Sequence, residues 1–403
     1  MIPFSPPRID EKTVKEVTEA LLSGWITTGP KTQLFENKLA EYIGVNHVVC
    51  LNSATAGLKL ILNWLDIKEG DEVIIPAYTY CATANVVVQT GAKPIMVDVN
   101  STDFNINLDA IEKAISNKTK AIIAVDIAGF PADYDEIINL ISKKEIVSQF
   151  KPENNNQKGI GRIALISDAA HSIGAIYKNQ RTGNQADMSS FSFHAVKNLT
   201  TAEGGAVAFN LNNSYDEEKL KQYFKTLSLH GQSKDALAKT KAGGWKYDVI
   251  EAGFKCNMTD IHAAIGLIEL ERYQETLKRR EEIFKLYDKF FSIKNWANLP
   301  TYESKHKKTS YHLYMLRINN CSENERDQII QHVSNMQIAV NVHYIPLPML
   351  SFYKNMGYNI EEYPNSYKNY TCEISLPVYF NLTDDQVFEV ANAIENAVDS
   401  VLK

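Results

Sequence analysis

Four short stretches of the sequence place chemically capable residues directly after apolar runs. Asn52-Ser53-Ala54-Thr55-Ala56-Gly57 follows the run His47 to Leu51 and precedes a helical pattern through Leu58, Leu60, Ile61, Leu62 and Leu65. A helix start with free N–H groups and hydroxyls is an anion site suited to a phosphate, and equally an ordinary N-cap. Ile166-Ser167-Asp168-Ala169-Ala170-His171 ends an apolar run in a carboxylate. Once buried, Asp168 needs a cation or several donors; capping the next helix is the plainer use. Lys197 lies past another apolar run and before Gly204-Gly205. Desolvation there lowers a lysine's pKa and makes the neutral amine a carbonyl nucleophile, although surface lysines are far commoner than catalytic ones. Pro76-Ala77-Tyr78-Thr79-Tyr80 puts aromatics at a strand end, where one could stack on a flat ring or pack in the core.

Taken jointly, these parts are a phosphate cradle, an aromatic plate, a carboxylate and, 29 residues later (168 to 197), a lysine. Pyridoxal phosphate (PLP) chemistry asks for such a set, with a carboxylate keeping the pyridine nitrogen protonated and a lysine holding the aldehyde.

The elements that must position them repeat one rhythm from about residue 45 to 210. Short β-branched runs (His47 to Leu51, Glu72 to Pro76, Pro94 to Val99, Ala121 to Asp126, Ile163 to Asp168, Ser189 to Phe193) alternate with helical spacing. That pattern predicts βαβ units and a mostly parallel sheet in a large α/β domain, the arrangement in which ligands bind beyond the carboxyl ends of the strands. The polar stretch Ser142 to Gly161 reads as a surface excursion. After Asp260 a long helical pattern leads to strands near Tyr311 to Ile318 and Ala339 to Tyr344 and a last helix near Asp384 to Val398. We therefore expect a large domain over 1–250, including the amino-terminal segment, and a smaller α+β domain over 251–403.

Composition narrows the function. Of 403 residues 44% are hydrophobic and 22% charged, and 42 Lys plus Arg against 48 Asp plus Glu leave a net charge of -6 with no basic block. Nucleic acid is thus not an expected partner, and no apolar run is long enough for a membrane span. With no signal-peptide core near Met1, a cytoplasmic protein is expected. Five widely spaced cysteines without a C-x-x-C pair, and nine scattered histidines, predict neither a disulfide framework nor a metal site.

The run Ser190 to Gly205, with Asp168-Ala169-Ala170-His171 and Asn52-Ser53-Ala54-Thr55-Ala56, resembles the DegT/DnrJ/EryC1/StrS family of PLP-dependent nucleotide-sugar aminotransferases. The likeness extends to Gly24-Trp25-Ile26-Thr27-Thr28-Gly29-Pro30, Met258-Thr259-Asp260-Ile261-His262 and His343-Tyr344-Ile345-Pro346-Leu347, nearly the whole chain. It implies the fold-type-I aminotransferase architecture and a homodimer with shared active sites. Lys197 resembles the Schiff-base lysine, Asp168 the pyridinium partner and His171 the neighbour of the ring hydroxyl. Tyr80 matches the ring-stacking aromatic, and Ala54, Thr55 and Ser192 match the phosphate binders.

Two departures from the family pattern stand out. Gly253-Phe254-Lys255-Cys256-Asn257 replaces a run in which an Asn reaches the neighbouring subunit's phosphate, so Lys255 and Asn257 are the cofactor-binding candidates there. This variant is similar to a sub-branch acting on UDP-linked 4-keto sugars. Pro348 stands where a His usually follows His343 and Tyr344, the substrate-binding candidates. The implied reaction is transfer of an amino group from L-glutamate to a nucleotide-linked keto sugar for surface glycan synthesis. Alternatives are a PLP-dependent sugar dehydratase or lyase, a 3-keto sugar aminotransferase and a non-catalytic regulator; Lys197 favours transamination, because dehydratase members carry His there. Arg181 and Lys234 could meet a diphosphate or simply be solvated.

Overall fold

The computed structural model describes residues 1–233 and 246–402. Up to residue 209 the strands are β1 (Val48–Leu51), β2 (Glu72–Pro76), β3 (Lys93–Val97), β4 (Thr119–Val125), β5 (Ala164–Asp168), β6 (Ile176–Tyr177), β7 (Gln180–Arg181), β8 (Met188–Ser192) and β9 (Gly205–Phe209). Seven of these form one sheet in the order β1-β9-β8-β5-β4-β2-β3. The pairs β3–β2–β4–β5–β8 are parallel, and β9 runs antiparallel between β8 and β1. All seven residues of β4 are buried, as expected of a strand covered on both faces.

The mostly parallel α/β sheet is therefore as the strand rhythm predicts. The antiparallel β9 is the addition, hidden in sequence because Gly204-Gly205 reads as a turn. Since β9 returns along β8, its first residue lies at the same sheet edge as the last residue of β8, paired as Ser192 with Gly205. The loop carrying Lys197 joins those two ends. Gly205 is required there, because a Cβ on it would stand 2.3 Å from the Ser53 carbonyl carbon and 2.4 Å from the Ala54 nitrogen.

A second sheet is formed by β10 (Ala297–Asn298), β12 (Tyr314–Ile318) and β13 (Glu373–Leu376), while β11 (Lys307–Lys308) joins β6 and β7. Helices Tyr273–Phe291, Glu323–Asn335 and Asp384–Val401 cover the second sheet with a core that includes Phe284, Tyr287, Leu316, Ile374 and Ile394. Ile2 inserts into this core and bridges Ile338.

The strand expected near Ala339 to Tyr344 does not form. That segment meets β13 at the single bridge Asn341–Ser375, because the His343 N–H turns to the Glu373 carboxylate instead of to a neighbouring strand. The excursion Ser142 to Gly161 is more than a loop. It holds a helix, Asn155–Ile160, and Asn154, Asn156 and Gln157 donate side-chain N–H groups to the Leu65, Trp64 and Leu65 carbonyls. These bonds satisfy the open end of helix Ala54–Trp64. Among the described residues no helix is long and apolar enough to cross a membrane.

Two widely separated motifs meet at one helix start. Asp260, 1% exposed, accepts from the Gly29, Lys31 and Thr32 N–H groups and from the Thr32 hydroxyl, at 2.7–3.0 Å. It thereby caps helix Pro30–Ile43, against which its own helix Asp260–Glu271 packs. Asp260→Ala strands four donors, and we expect it to lower unfolding free energy by about 3 kcal/mol. Asp260→Asn keeps one carbonyl acceptor and should lose less; equal urea midpoints for all three proteins would show that the cap is not needed.

Candidate active site

A cavity of about 540 Å³ opens beyond the carboxyl ends of β1, β2, β5 and β8. It is lined by Ser53, Ala54, Thr55, Tyr80, Asp168, His171, Ser192, Lys197, His343 and Tyr344. The four strand-end turns singled out in the sequence thus converge at one sheet edge, where such folds bind ligands. Ser53 caps helix Ala54–Trp64 by accepting from Ala56 N–H, and Thr55, exposed in the first turn of that helix, lines the cavity. Ser190, on β8, donates its hydroxyl to the Ala54 carbonyl at 2.9 Å, which ties that helix start to the strand preceding Lys197.

Asp168, 6% exposed at the end of β5, accepts from the Thr83 hydroxyl at 2.8 Å and the Ala170 N–H at 3.3 Å. Among the described residues no Lys or Arg lies within ion-pair distance of it. Burial raises its pKa in spite of those donors and of the Lys197 charge. Lys197 makes no side-chain hydrogen bond or ion pair among the described residues. Burial draws its ammonium down to about 8, against the opposing pull of Asp168. Tyr80 is 58% exposed with its ring 5.7 Å from that of Tyr344, so an aromatic face is offered to the cavity.

Four described histidines line the cavity with this pair: His171 and His343, expected from the sequence, His312, and His194, which lies 3.6 Å from the Glu203 carboxylate. The His171 Nε2 and Tyr344 hydroxyl are 2.9 Å apart, and the buried His171 Nδ1 has no hydrogen-bond partner among the described residues. The His312 ring lies against that of His171, tilted by 45° with ring centres 4.4 Å apart. His343 Nδ1 lies 2.9 Å from the Ser375 hydroxyl, which donates to Glu373; the His343 N–H donates to the other Glu373 oxygen. Burial lowers His171 and His312 well below the usual histidine range and His343 to about 3, so none of these three carries a charge at neutral pH. Glu373, fully buried, is pushed up to about 8.

Lys255 and Asn257 do not line this cavity. They bond each other at 2.6 Å beside β1, where Asn257 bridges Leu51 and donates to the Thr28 hydroxyl. Arg181 lies over the Tyr42 ring and donates to the Tyr42 carbonyl, also outside the cavity; Lys234 is outside the described residues. Pro348 is buried in a short turn. Sequence reasoning missed Thr83, His312 and Glu373. Thr83 was within reach of it, since three residues after Tyr80 is one helical turn, whereas His312 and Glu373 arrive from the second sheet.

Sheet and cavity together define the fold-type-I aminotransferase class. Residues 7–149 and 157–395 match the model of the DegT/DnrJ/EryC1/StrS aminotransferase family, and the chain belongs to that family. It is 45% identical to Spr1654 of Streptococcus pneumoniae, provisionally assigned as a sugar aminotransferase, in its PMP-form, with a TM-score of 0.96 over 100% of both chains. That protein is also known in a PLP-form, which carries the cofactor implied by the sequence resemblance. The spore coat polysaccharide biosynthesis protein SpsC of Bacillus subtilis is 34% identical over 98% of this chain and 97% of its own. Helicobacter pylori PseC, an aminotransferase involved in pseudoaminic acid biosynthesis, is 28% identical with a TM-score of 0.84 over 99% of both chains.

The Glu373 proton gives a stability signature. Its pKa rises from the ordinary 4.5 to about 8 on folding, so as pH increases the unfolded chain releases the proton first. The stability tied to protonated Glu373 is fully present below 4.5 and is lost as pH rises through about 8. The unfolding free energy of the protein relative to Glu373→Gln should fall across that interval; a pH-independent difference would mean that Glu373 is ionised throughout.

Proposed function

We propose that the protein is a PLP-dependent aminotransferase that takes the amino group of L-glutamate and passes it to a nucleotide-linked keto sugar, specifically a UDP-linked 4-keto sugar, for surface glycan synthesis in the cytoplasm. The observation that carries this reading is the buried Asp168 carboxylate, which lines the same cavity as the Lys197 amine and has no cationic ion-pair partner among the described residues. A protonated pyridine nitrogen meets that need, and the unpartnered His171 Nδ1 provides for a ring oxygen. The resemblance to a protein with PLP- and PMP-forms and to a polysaccharide biosynthesis protein supports the same conclusion.

When bound, PLP supplies an electrophilic carbonyl carbon and an electron-withdrawing ring. Ala54, Thr55 and Ser192 would hold the phosphate, Tyr80 would stack on the ring, Asp168 would keep the ring nitrogen protonated and His171 would serve the ring hydroxyl. Lys197 would be the residue that holds the carbonyl carbon, and its free amine, with a pKa of about 8, would accept and return a proton beside the substrate carbon at neutral pH. His343 and Tyr344 face the sugar. Lys255 and Asn257 serve the phosphate of the neighbouring subunit in a homodimer with shared sites. This reading keeps the division into a cofactor domain over 1–250 and a smaller domain over 251–403.

The visible spectrum of the full-length protein with PLP, before and after L-glutamate, tests the reading. We expect a Lys197-dependent band that gives way to the pyridoxamine phosphate spectrum, with an equal amount of keto acid formed. A band that persists with no keto acid would overturn glutamate as donor, and no band at all would overturn the role of Lys197. Lys197→Ala should keep its fold and lose turnover by about a thousandfold or more; near-normal activity in that variant would refute the assignment.

A further inference from the structure

His171 and His312, both buried and with their rings in tilted contact, line the cavity beside Lys197, and their hydrogen bonds define where each ring carries its proton. The Asn198 side chain settles His312. Its Nδ2 donates to the Ser310 carbonyl at 2.7 Å, an oxygen that can only accept. The other end, Oδ1, lies 2.8 Å from His312 Nδ1 and can itself only accept, so His312 carries its proton on Nδ1. Its Nε2 is then a bare lone pair, without a hydrogen bond among the described residues.

Counting partners settles His171. If Nε2–H donated to Tyr344, the phenolic proton and the Nδ1 lone pair would both lack partners. If the phenol donates to Nε2, only Nδ1–H is left over, and Nδ1 is the buried atom without a partner. Burial keeps the Tyr344 phenol protonated, while burial and the Lys197 charge keep His171 neutral.

We propose that Asn198 and Tyr344 are positioning residues that lock His312 and His171 as neutral Nδ1–H tautomers, so that the cavity wall presents one fixed donor, His171 Nδ1–H, and one fixed acceptor, His312 Nε2. The lock is a property of the protein alone. Its use rests on the reading above: the donor serves the ring oxygen of PLP, and the acceptor serves an O–H or N–H of the second substrate. Neither ring offers a competing cation, so the positive charge of the inner wall stays with Lys197.

The test is a long-range proton–nitrogen correlation spectrum of the full chain labelled with nitrogen-15 histidine, recorded without and with PLP. His171→Gln and His312→Gln assign the two rings by the signals they remove. Without PLP both rings should show the Nδ1–H pattern. Tyr344→Phe should shift His171 toward Nε2–H and leave His312 unchanged; Asn198→Ala should do the reverse. Tyr344→Phe should also weaken PLP binding up to about tenfold with the visible band retained, the loss expected for one hydrogen bond. An Nε2–H pattern at either ring of the unaltered protein overturns the lock, whatever the variants do. A shifted His171 tautomer with unchanged PLP affinity overturns the positioning role of Tyr344. Both tautomers as stated in a chain that binds no PLP would uphold the lock and remove the cofactor reading.

Discussion

A carboxylate in the interior without a fixed cation is the constraint to which the neighbouring elements answer. Taking a carboxylate out of water costs several kcal/mol even after relaxation. Asp168 is held by β5, which lies between β4 and β8, so its backbone position is defined by Val125 on one side and Ser190 on the other. The Thr83 hydroxyl that donates to it comes from the first turn of helix Cys81–Val88. Because that proton is committed to Asp168, the bond between Thr83 and Thr79 must run from Thr79 to Thr83. The turn after β2 is therefore oriented by the carboxylate, and with it Tyr80. These donors moderate the carboxylate without neutralising it, since burial still prevails. What remains is an affinity for a cation brought by a ligand.

The reversal of β9 couples this centre to the phosphate candidate. Lys197 sits on the connection between β8 and β9, and the first residue of β9, Gly205, packs against the backbone of Ser53 and Ala54 too closely for any side chain. Gly57 makes a similar approach, with room for no Cβ against the Ser190 hydroxyl. The helix start thus meets the first residue of β9 through backbone and β8 through the Ser190 side chain, and the spacing is set by two glycines and by the bond from Ser190 to the Ala54 carbonyl. Backbone contacts of this kind hold a site more tightly than flexible side chains do, which catalysis needs where small misplacements are costly.

Much of this was legible in sequence because its signals are local. An apolar run followed by a small or charged residue marks a strand end, and in a parallel sheet all such ends share one edge, so Asn52 to Thr55, Tyr80, Asp168 and Ser192 could be placed together without coordinates. Lys197 required more, since only the antiparallel β9 brings its loop back, and Gly204-Gly205 conceals that strand's start. The support from the second sheet had no local signal. His312 reaches the cavity from the segment leading into β12, and Glu373 sits at the first position of β13, where it accepts the His343 N–H and keeps Ala339 to Tyr344 from pairing as a strand. Asp260 read as part of a motif, and its use as a helix cap depends on a residue pair more than two hundred positions apart.

The charge inventory of the cavity bears on how it can work. Among the described residues Lys197 is the sole Lys or Arg that lines it. His171, His312 and His343 are held neutral by burial, the Glu203 carboxylate lies 3.6 Å from His194 on the same wall, and behind the lining Glu373, pushed up to about 8, is mostly protonated near neutral pH. A phosphate placed at Ala54 and Thr55 would then be held by neutral donors and by the partial positive charge of a helix start. That division has a chemical advantage, because a phosphate bound through an ion pair to Lys197 would keep that amine protonated and unable to act as a nucleophile. With the anion held by backbone N–H groups and Asp168 left to the ligand's own cation, no phosphate would raise the amine above the value of about 8 to which burial draws it, so it gives up its proton far more readily than an ordinary lysine although it is mostly protonated at neutral pH. The reactivity of Lys197 thus depends as much on the uncharged state of its neighbours as on its place in the chain.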